Sequence, residues 1–390
     1  MVKEKIKQAS GILKEEGIDL WLTFVRESEV TGDPSLDFIL GANCTWHSAF
    51  MIPAEGTPVA IVGSLDETRI RETGGYDVIG YTKSIKEPLV EQIDRFSPRS
   101  IAINFSENTC LADGLSHGLY LSLMRYLTGT PYASRLVSSE NIISKLRGRK
   151  SPEEIRRIRA AVELAEEIFD AVSRIMKPGL TEREVAAFML GEVDRRGVET
   201  AWERELCPSV FTGPESAGAH AGPTDRVIEK GHVLNIDFGV KVEKYVSDLQ
   251  RTWYFRKPGE KKAPTEVLKA FETIRDSIAL AAERIRPGME GGAIDTLART
   301  YITDRGYKEF PHALGHQVGR HAHDGAGLLC PEWERYGNLP HLTIEEAQVY
   351  TLEPRIVIPG YGVATMEEIV VVRPNGGEFL SHPQRELYLK

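Results

Sequence analysis

The stretch VLNIDFGVKVEKYVSDLQRTWY, Val233 to Tyr254, reads as two strands around a tight turn. Leu234, Ile236, Phe238 and Val240 alternate with Asn235, Asp237 and Gly239, the period of a strand with two unlike faces. The apolar face needs a core. The other face carries Asp237, and the returning arm carries Asp248. Aspartate is depleted in strands, and like charges placed opposite one another weaken a sheet. A turn centred between Val242 and Glu243, with a two- or four-residue loop, makes the two acids direct cross-strand neighbours. Their Cβ atoms would then lie about 4.5–5.5 Å apart. Two carboxylates that close repel unless one takes a proton or a cation lies between them.

A second hairpin repeats the pattern. VYTLEPRIVIPGYGVATMEEIVVV has two β-rich arms around Pro359-Gly360-Tyr361-Gly362, and Glu353 and Glu367 are symmetric about Gly360. A three- or five-residue loop sets them opposite each other. A slip of one residue would move an acid to the other face. Between the hairpins lies FPHALGHQVGRHAHDGAG, with His312, His316, His321 and His323, four of the ten histidines in the chain. Neutral imidazole is a common metal ligand. Four carboxylates and an imidazole make a hard, oxygen-rich donor set. It suits two divalent ions such as Mn²⁺ or Co²⁺, with Zn²⁺ or Fe²⁺ as other candidates. Two such ions about 3.5–4 Å apart can activate a water and polarise a carbonyl.

The rest of the chain supplies the scaffold. At 390 residues it is long enough for two or three domains. Strand-like runs DLWLTFV, HSAFMIP, PVAIVG and SIAINF alternate with helical stretches up to about residue 145, the pattern of a small α/β domain. Ser151-Pro152-Glu153-Glu154 then announces a helix, with a capping serine, proline in the first turn and acids beside it. Its apolar stripe from Ile155 to Met176 is a buried face. IMKPGLTEREVAAFMLGEVDRRG and RIRPGMEGGAIDTLARTYITDRG resemble each other, and Pro178–Gly197 and Pro287–Gly306 span the same 19-residue distance. Two related halves are expected, each with helices and a hairpin. The expected architecture is an α/β N-terminal domain, residues 1–145, followed by an α+β catalytic domain, residues 146–390.

The net charge of −9 argues against a nucleic-acid or anionic-membrane partner. No apolar run approaches the roughly 18 residues of a membrane span, and the charged N-terminus lacks a leader's apolar core. The four cysteines form no CxxC pair. A cytoplasmic, reduced protein is the expectation.

The five donors match a known family residue by residue. The segment from about residue 150 to 390 resembles the pita-bread metallopeptidases: methionine aminopeptidase, Xaa-Pro aminopeptidase, prolidase and the metal-free creatinase. The first 145 residues look like the N-terminal domain of the creatinase and Xaa-Pro branch. Asp237 in IDFG, Asp248 in SD-x-x-RT, His316 in GHxxG, Glu353 in TLEP and Glu367 in MEEIVVV match the metal ligands. The resemblance implies that Asp248 and Glu367 bridge two metals, that Asp237 holds one, and that His316 and Glu353 hold the other. It makes Glu353 the proton shuttle as well. It implies substrate-side roles for His220, His312 and His323, with His323 stabilising an oxyanion. The implied activity is hydrolysis of an N-terminal peptide bond, at Xaa-Pro, by a homodimer. The rivals are a creatinase-like hydrolase of another C–N bond and a non-catalytic binding protein.

Some positions depart from the family pattern. Thr365 stands where an arginine is frequent, two residues before the last ligand. Pro354-Arg355 replaces Pro-Gly, and Asp324-Gly325-Ala326 follows His323 in place of Glu and Pro. The stretch from His323 to Glu353 is a loop's worth longer than usual. These changes cluster at the substrate end and leave the donor set intact.

Overall fold

The computed structural model describes residues 1–215 and 222–390, and the chain divides into two units, Met1–Arg147 and Gly148–Lys390.

The first unit is built on a six-stranded mixed sheet. The strand Leu20–Val25 lies inside it, antiparallel to Ser48–Pro53 and parallel to Ile101–Ile103. All six of its residues are buried, because both faces are covered. Trp21 and Val25 pack on one side with Ile12 and Leu13 of the helix Val2–Glu16. Leu20, Leu22 and Phe24 pack on the other with Leu89, Ile93 and Leu123. Each such side chain contributes about 1.5–3 kcal/mol on leaving water. Two strands, Asp77–Tyr81 and Leu136–Ser138, complete the sheet edges. They were not legible as apolar runs because an edge strand buries fewer of its residues.

The second unit begins at the helix Pro152–Ile175. Ser151 and Glu154 form a reciprocal capping box there. Buried Glu154 also accepts a hydrogen bond from the Tyr245 hydroxyl at 2.9 Å, which ties the helix start to the first hairpin. The two similar segments fold as two helix pairs. Pro152–Ile175 is followed by Glu182–Arg196, and Thr265–Arg284 by Gly291–Thr303. Gly197, which ends one pair, and Gly179, in the link within it, take positive φ; so do their counterparts Gly306 and Gly288.

The β-structure here is several small sheets rather than one. Val233–Phe238 pairs antiparallel with Leu249–Tyr254 and Ser209–Thr212, and Val349–Leu352 with Glu368–Arg373. Arg355–Ile358 and Gly362–Thr365 form the second hairpin. Its inward residues Ile356, Ile358, Ala364 and Met366 pack with Phe271, Ile274 and Ile278 of the helix Thr265–Arg284. The opposite face of the hairpin, with residues 353, 355, 365 and 367, is left for the site.

Candidate metal centre

The first hairpin turns one residue later than expected. Its loop is Glu243–Lys244, both at positive φ, between the paired residues Val242 and Tyr245. Asp237 is therefore opposite Gln250, not Asp248. The displacement in register is two residues, so the side-chain parity is kept. Asp237 and Asp248 share a face as diagonal neighbours. At Gly239 the chain leaves one sheet for another, and a Cβ there would meet the Ser247 carbonyl oxygen at 2.0 Å.

The second hairpin has the expected register. Arg355 pairs with Thr365 and Ile358 with Gly362, leaving a three-residue loop, Pro359–Tyr361. The neighbouring ladder sets Leu352 opposite Glu368. Continuing either ladder puts Glu353 opposite Glu367.

The two hairpins are joined at the acids. Gln250 and Glu367 exchange backbone hydrogen bonds, N–H to O, at 3.4 and 3.3 Å. The Gln250 side-chain amide donates to Glu367 Oε2 at 2.8 Å. Its Oε1 accepts from the Thr365 hydroxyl. Thr365, 3% exposed, is thus a brace behind Glu367. The short strand Gly315–His316 delivers the histidine. Glu353 N–H donates to the Leu314 carbonyl at 2.8 Å, and His316 N–H to Thr351 Oγ1 at 3.1 Å. A Cβ at Gly315 would lie 1.9 Å from the Thr351 carbonyl oxygen, so only glycine allows this approach.

The donors converge. His316 Nε2 lies 3.3 Å from Glu353 Oε1, 3.8 Å from Asp248 Oδ2 and 3.9 Å from Glu367 Oε1. Asp248, His316 and Glu367 each offer an atom within 4.8 Å of the others. Asp237 is buried beside them, close enough for its charge to act on Asp248 and Glu367. The His323 ring stands edge-on to His316, with centroids 4.1 Å apart. His321 is exposed. His220 lies outside the described residues.

Electrostatics define what the cluster lacks. Burial, then repulsion from Glu353, pushes the Asp237 carboxyl up to about 8. Burial and the neighbouring acids hold Asp248 and Glu367 well above the ordinary range as well. Burial also acts upward on Glu353, but the His316 hydrogen bond and the surrounding histidines outweigh it, and the net shift is downward. Burial lowers His312, whose Nδ1 lies 2.8 Å from the Ala313 carbonyl. Asp237 Oδ1 and Glu367 Oε1 are buried with no hydrogen-bond partner among the described residues. Orphaned carboxylate oxygens in one buried cluster are what a divalent cation satisfies. The donor set fits that ion.

Several supporting residues escaped sequence reasoning. Arg251, 3% exposed, pairs with Glu368 at 3.1 Å and donates to the Glu367 carbonyl at 3.1 Å. The signal was there: residues 367 and 368 are adjacent, so one acid must point away from the site. Arg251→Met is expected to cost about 3–5 kcal/mol, since it strands a buried glutamate. Urea denaturation with an unchanged m-value checks this, and a loss under about 1 kcal/mol would contradict it. Arg299 pairs bidentately with buried Asp295 at 2.8 and 2.9 Å and donates to the carbonyls of Phe310 and His312. Trp333, from the lengthened segment, stacks on that guanidinium at 5.0 Å. The extra residues thereby brace the loop that carries His312.

The fold and this cluster define a class, a metal-dependent hydrolase with carboxylates on facing hairpins. A model of metallopeptidase family M24 matches residues 156–374, and the chain belongs to that family. It is a metallopeptidase of pita-bread fold. It is 27% identical over 316 residues to the uncharacterized peptidase YqhT of Bacillus subtilis (strain 168), covering 81% of this chain and 82% of that one. It is 26% identical over 388 residues to the Xaa-Pro dipeptidase of Pyrococcus horikoshii, covering 99% of each. Among solved structures, the prolidase from Pyrococcus horikoshii OT3 aligns with a TM-score of 0.70 at 27% identity, over 98% of this chain and 99% of that one. The X-Pro aminopeptidase from Thermotoga maritima MSB8 gives 0.72 at 24% identity over 99% of each, a likeness of fold alone. No described helix is long and apolar enough to cross a membrane.

Proposed function

We propose that this metallopeptidase uses two divalent ions to hydrolyse the N-terminal peptide bond of Xaa-Pro substrates. The observation that carries the reading is the convergence of Asp237, Asp248, His316, Glu353 and Glu367, with two buried carboxylate oxygens left without partners. Those five side chains would hold the ions, Mn²⁺ or Co²⁺ in first place and Zn²⁺ or Fe²⁺ after them. When bound, the ions supply Lewis acidity and a nucleophile at neutral pH. Glu353, ionised at neutral pH and beside the histidines, accepts the proton released on attack and returns it to the leaving amine. His323, its ring edge-on to His316, donates to the developing oxyanion. His312 stays neutral, and if its Nδ1 carries the proton toward the Ala313 carbonyl, Nε2 is free to accept from the substrate. His220 is assigned a contact near the reacting amide by resemblance. A homodimer is the assembly we propose.

The altered substrate end supports a second reading, a hydrolase of another C–N or related bond. Thr365 is turned to Gln250 and offers no charge to a substrate. One experiment separates the two. Metal content is measured, and Xaa-Pro peptides are assayed with and without Mn²⁺ or Co²⁺, wild type against Asp248→Ala. Two ions per chain and a metal-dependent cleavage lost in the variant are expected. Full activity after complete chelation would end the metallohydrolase reading. Stoichiometric metal with no peptide cleavage would favour the second.

A further inference from the structure

The first unit carries a cleft of about 610 Å³, in the size range of small-molecule sites. It lies at one end of the six-stranded sheet. Leu20–Val25, Val59–Gly63 and Asp77–Tyr81 run in the same direction, with the antiparallel Ser48–Pro53 between the first two. Arg26 follows the first of these strands and Lys83 the third, while Thr45, Trp46 and His47 lead into the antiparallel one. The cleft is therefore at the carboxyl ends of the parallel strands. The chain adds Asp77–Tyr81 at one edge of the sheet and then Ile101–Ile103 on the far side of Leu20–Val25, so the strand order reverses. Such a reversal is where open α/β sheets hold ligands.

Its aromatic wall is held in place. The rings of Trp46 and Tyr81 have centroids 5.9 Å apart. The indole rests against Gly63, where a Cβ would come within 2.6 Å of its ring carbon Cε3, so a larger residue there would displace it. The Tyr81 hydroxyl donates to the His47 carbonyl at 2.8 Å, the Thr45 N–H to buried Asp66 at 2.8 Å and the Ser48 hydroxyl to the Trp46 carbonyl at 3.0 Å. His47 stacks on Phe24 at 5.6 Å, and burial, then the charges of Arg26 and Arg125, hold it below the ordinary histidine value. Arg26 and Lys83 are exposed, and their side chains make no hydrogen bond or ion pair with the described residues. Glu27 is the acid in the lining, against those two cations. In a chain of net charge −9, unpaired cations gathered beside aromatic rings make a local anion site.

We propose that this cleft binds a small molecule in which an aromatic ring carries a phosphate or carboxylate, the class that includes mononucleotides. The ring packs on Trp46 and Tyr81. The anionic group meets Arg26 and Lys83, whose donors suit either oxyanion. The metal donors all belong to the second unit, so binding here needs none of them.

Titration calorimetry on the metal-loaded, full-length protein tests this with adenosine 5′-monophosphate and indole-3-acetate. At least one of them is expected to bind at a single site with Kd below about 1 mM, and the tighter one identifies the anionic group. The uncharged ring alone, adenosine or indole-3-acetamide, and the anion alone, phosphate or acetate, should each bind at least about 10-fold more weakly. Trp46→Ala, and Arg26→Met combined with Lys83→Met, should each weaken binding about 10-fold or more. Tm identifies a variant that is merely misfolded. Lys83→Glu, a change at an exposed position, then carries the same expected loss. Asp248→Ala should leave the affinity unchanged. Absence of saturable binding of both probes up to about 5 mM overturns the inference. So does an affinity that the cleft variants leave untouched, or that the ring or the anion alone reproduces. An affinity lost in Asp248→Ala overturns it too, by placing the ligand on the metal centre.

Discussion

Glu353→Gln is expected to lower kcat by about 10²–10⁴-fold, the range for loss of a general base. The amide keeps the shape and can still offer one oxygen, but it cannot accept a proton at neutral pH. Wild-type Glu353 can, because the His316 contact at 3.3 Å and the other histidines overcome burial and keep its carboxyl below the ordinary value. The measurement must separate chemistry from metal loss. Metal per chain is determined on the same samples, and kcat is taken at saturating Mn²⁺ or Co²⁺. A variant that binds both ions and turns over within about threefold of wild type would remove Glu353 from the proton path. A variant that fails only through metal loss, with activity restored by excess ion, would leave it a ligand alone.

Chelation should make stability depend on pH, and in an unusual direction. In the unfolded chain Asp237, Asp248 and Glu367 titrate near 4. In the metal-free fold all three are raised, Asp237 to about 8. Between those values the folded state holds more protons than the unfolded one, so unfolding free energy falls as pH rises. The stability is fully present below about 4 and is lost progressively up to about 8 for Asp237. Glu353, lowered, has the opposite sign, but its window lies below its ordinary value. For Asp237 alone the loss is on the order of 5 kcal/mol. That corresponds to roughly 10 °C or more in Tm for a unit of this size. The chelated protein should thus melt lower at pH 8 than at pH 5. Divalent ion should raise Tm far more at pH 8, where it does not compete with protons. A chelated Tm that is flat or rises across that range would mean these acids are not crowded as described.

The sequence carried the site further than the scaffold around it. Alternation along 233–240 and the symmetry of Glu353 and Glu367 about Gly360 were enough to predict which acids share a face. Parity protected that reading even where the turn was misplaced. The turn centre itself was not legible, because hydrophobic alternation does not say which residues accept positive φ, and neither Glu243 nor Lys244 announces it. Gln250 and Arg251 were missed for another reason. Their importance depends on contacts between hairpins more than a hundred residues apart. No local pattern encodes those. The edge strands Asp77–Tyr81 and Leu136–Ser138 were missed because half-exposed strands lack a continuous apolar run.

The change of sheet at Gly239 has a consequence for how this protein can vary. Asp237 belongs to the ladder of Val233–Phe238 with Leu249–Tyr254, and Asp248 stands immediately before it, while the loop Glu243–Lys244 joins two strands of a separate three-stranded sheet. Length changes at the tip can be taken up beyond Gly239 without re-registering the ladder that carries Asp237. The tip is therefore a tolerant point for a graft or a reporter, whereas a single residue added between Leu249 and Tyr254 would turn the donors inside out.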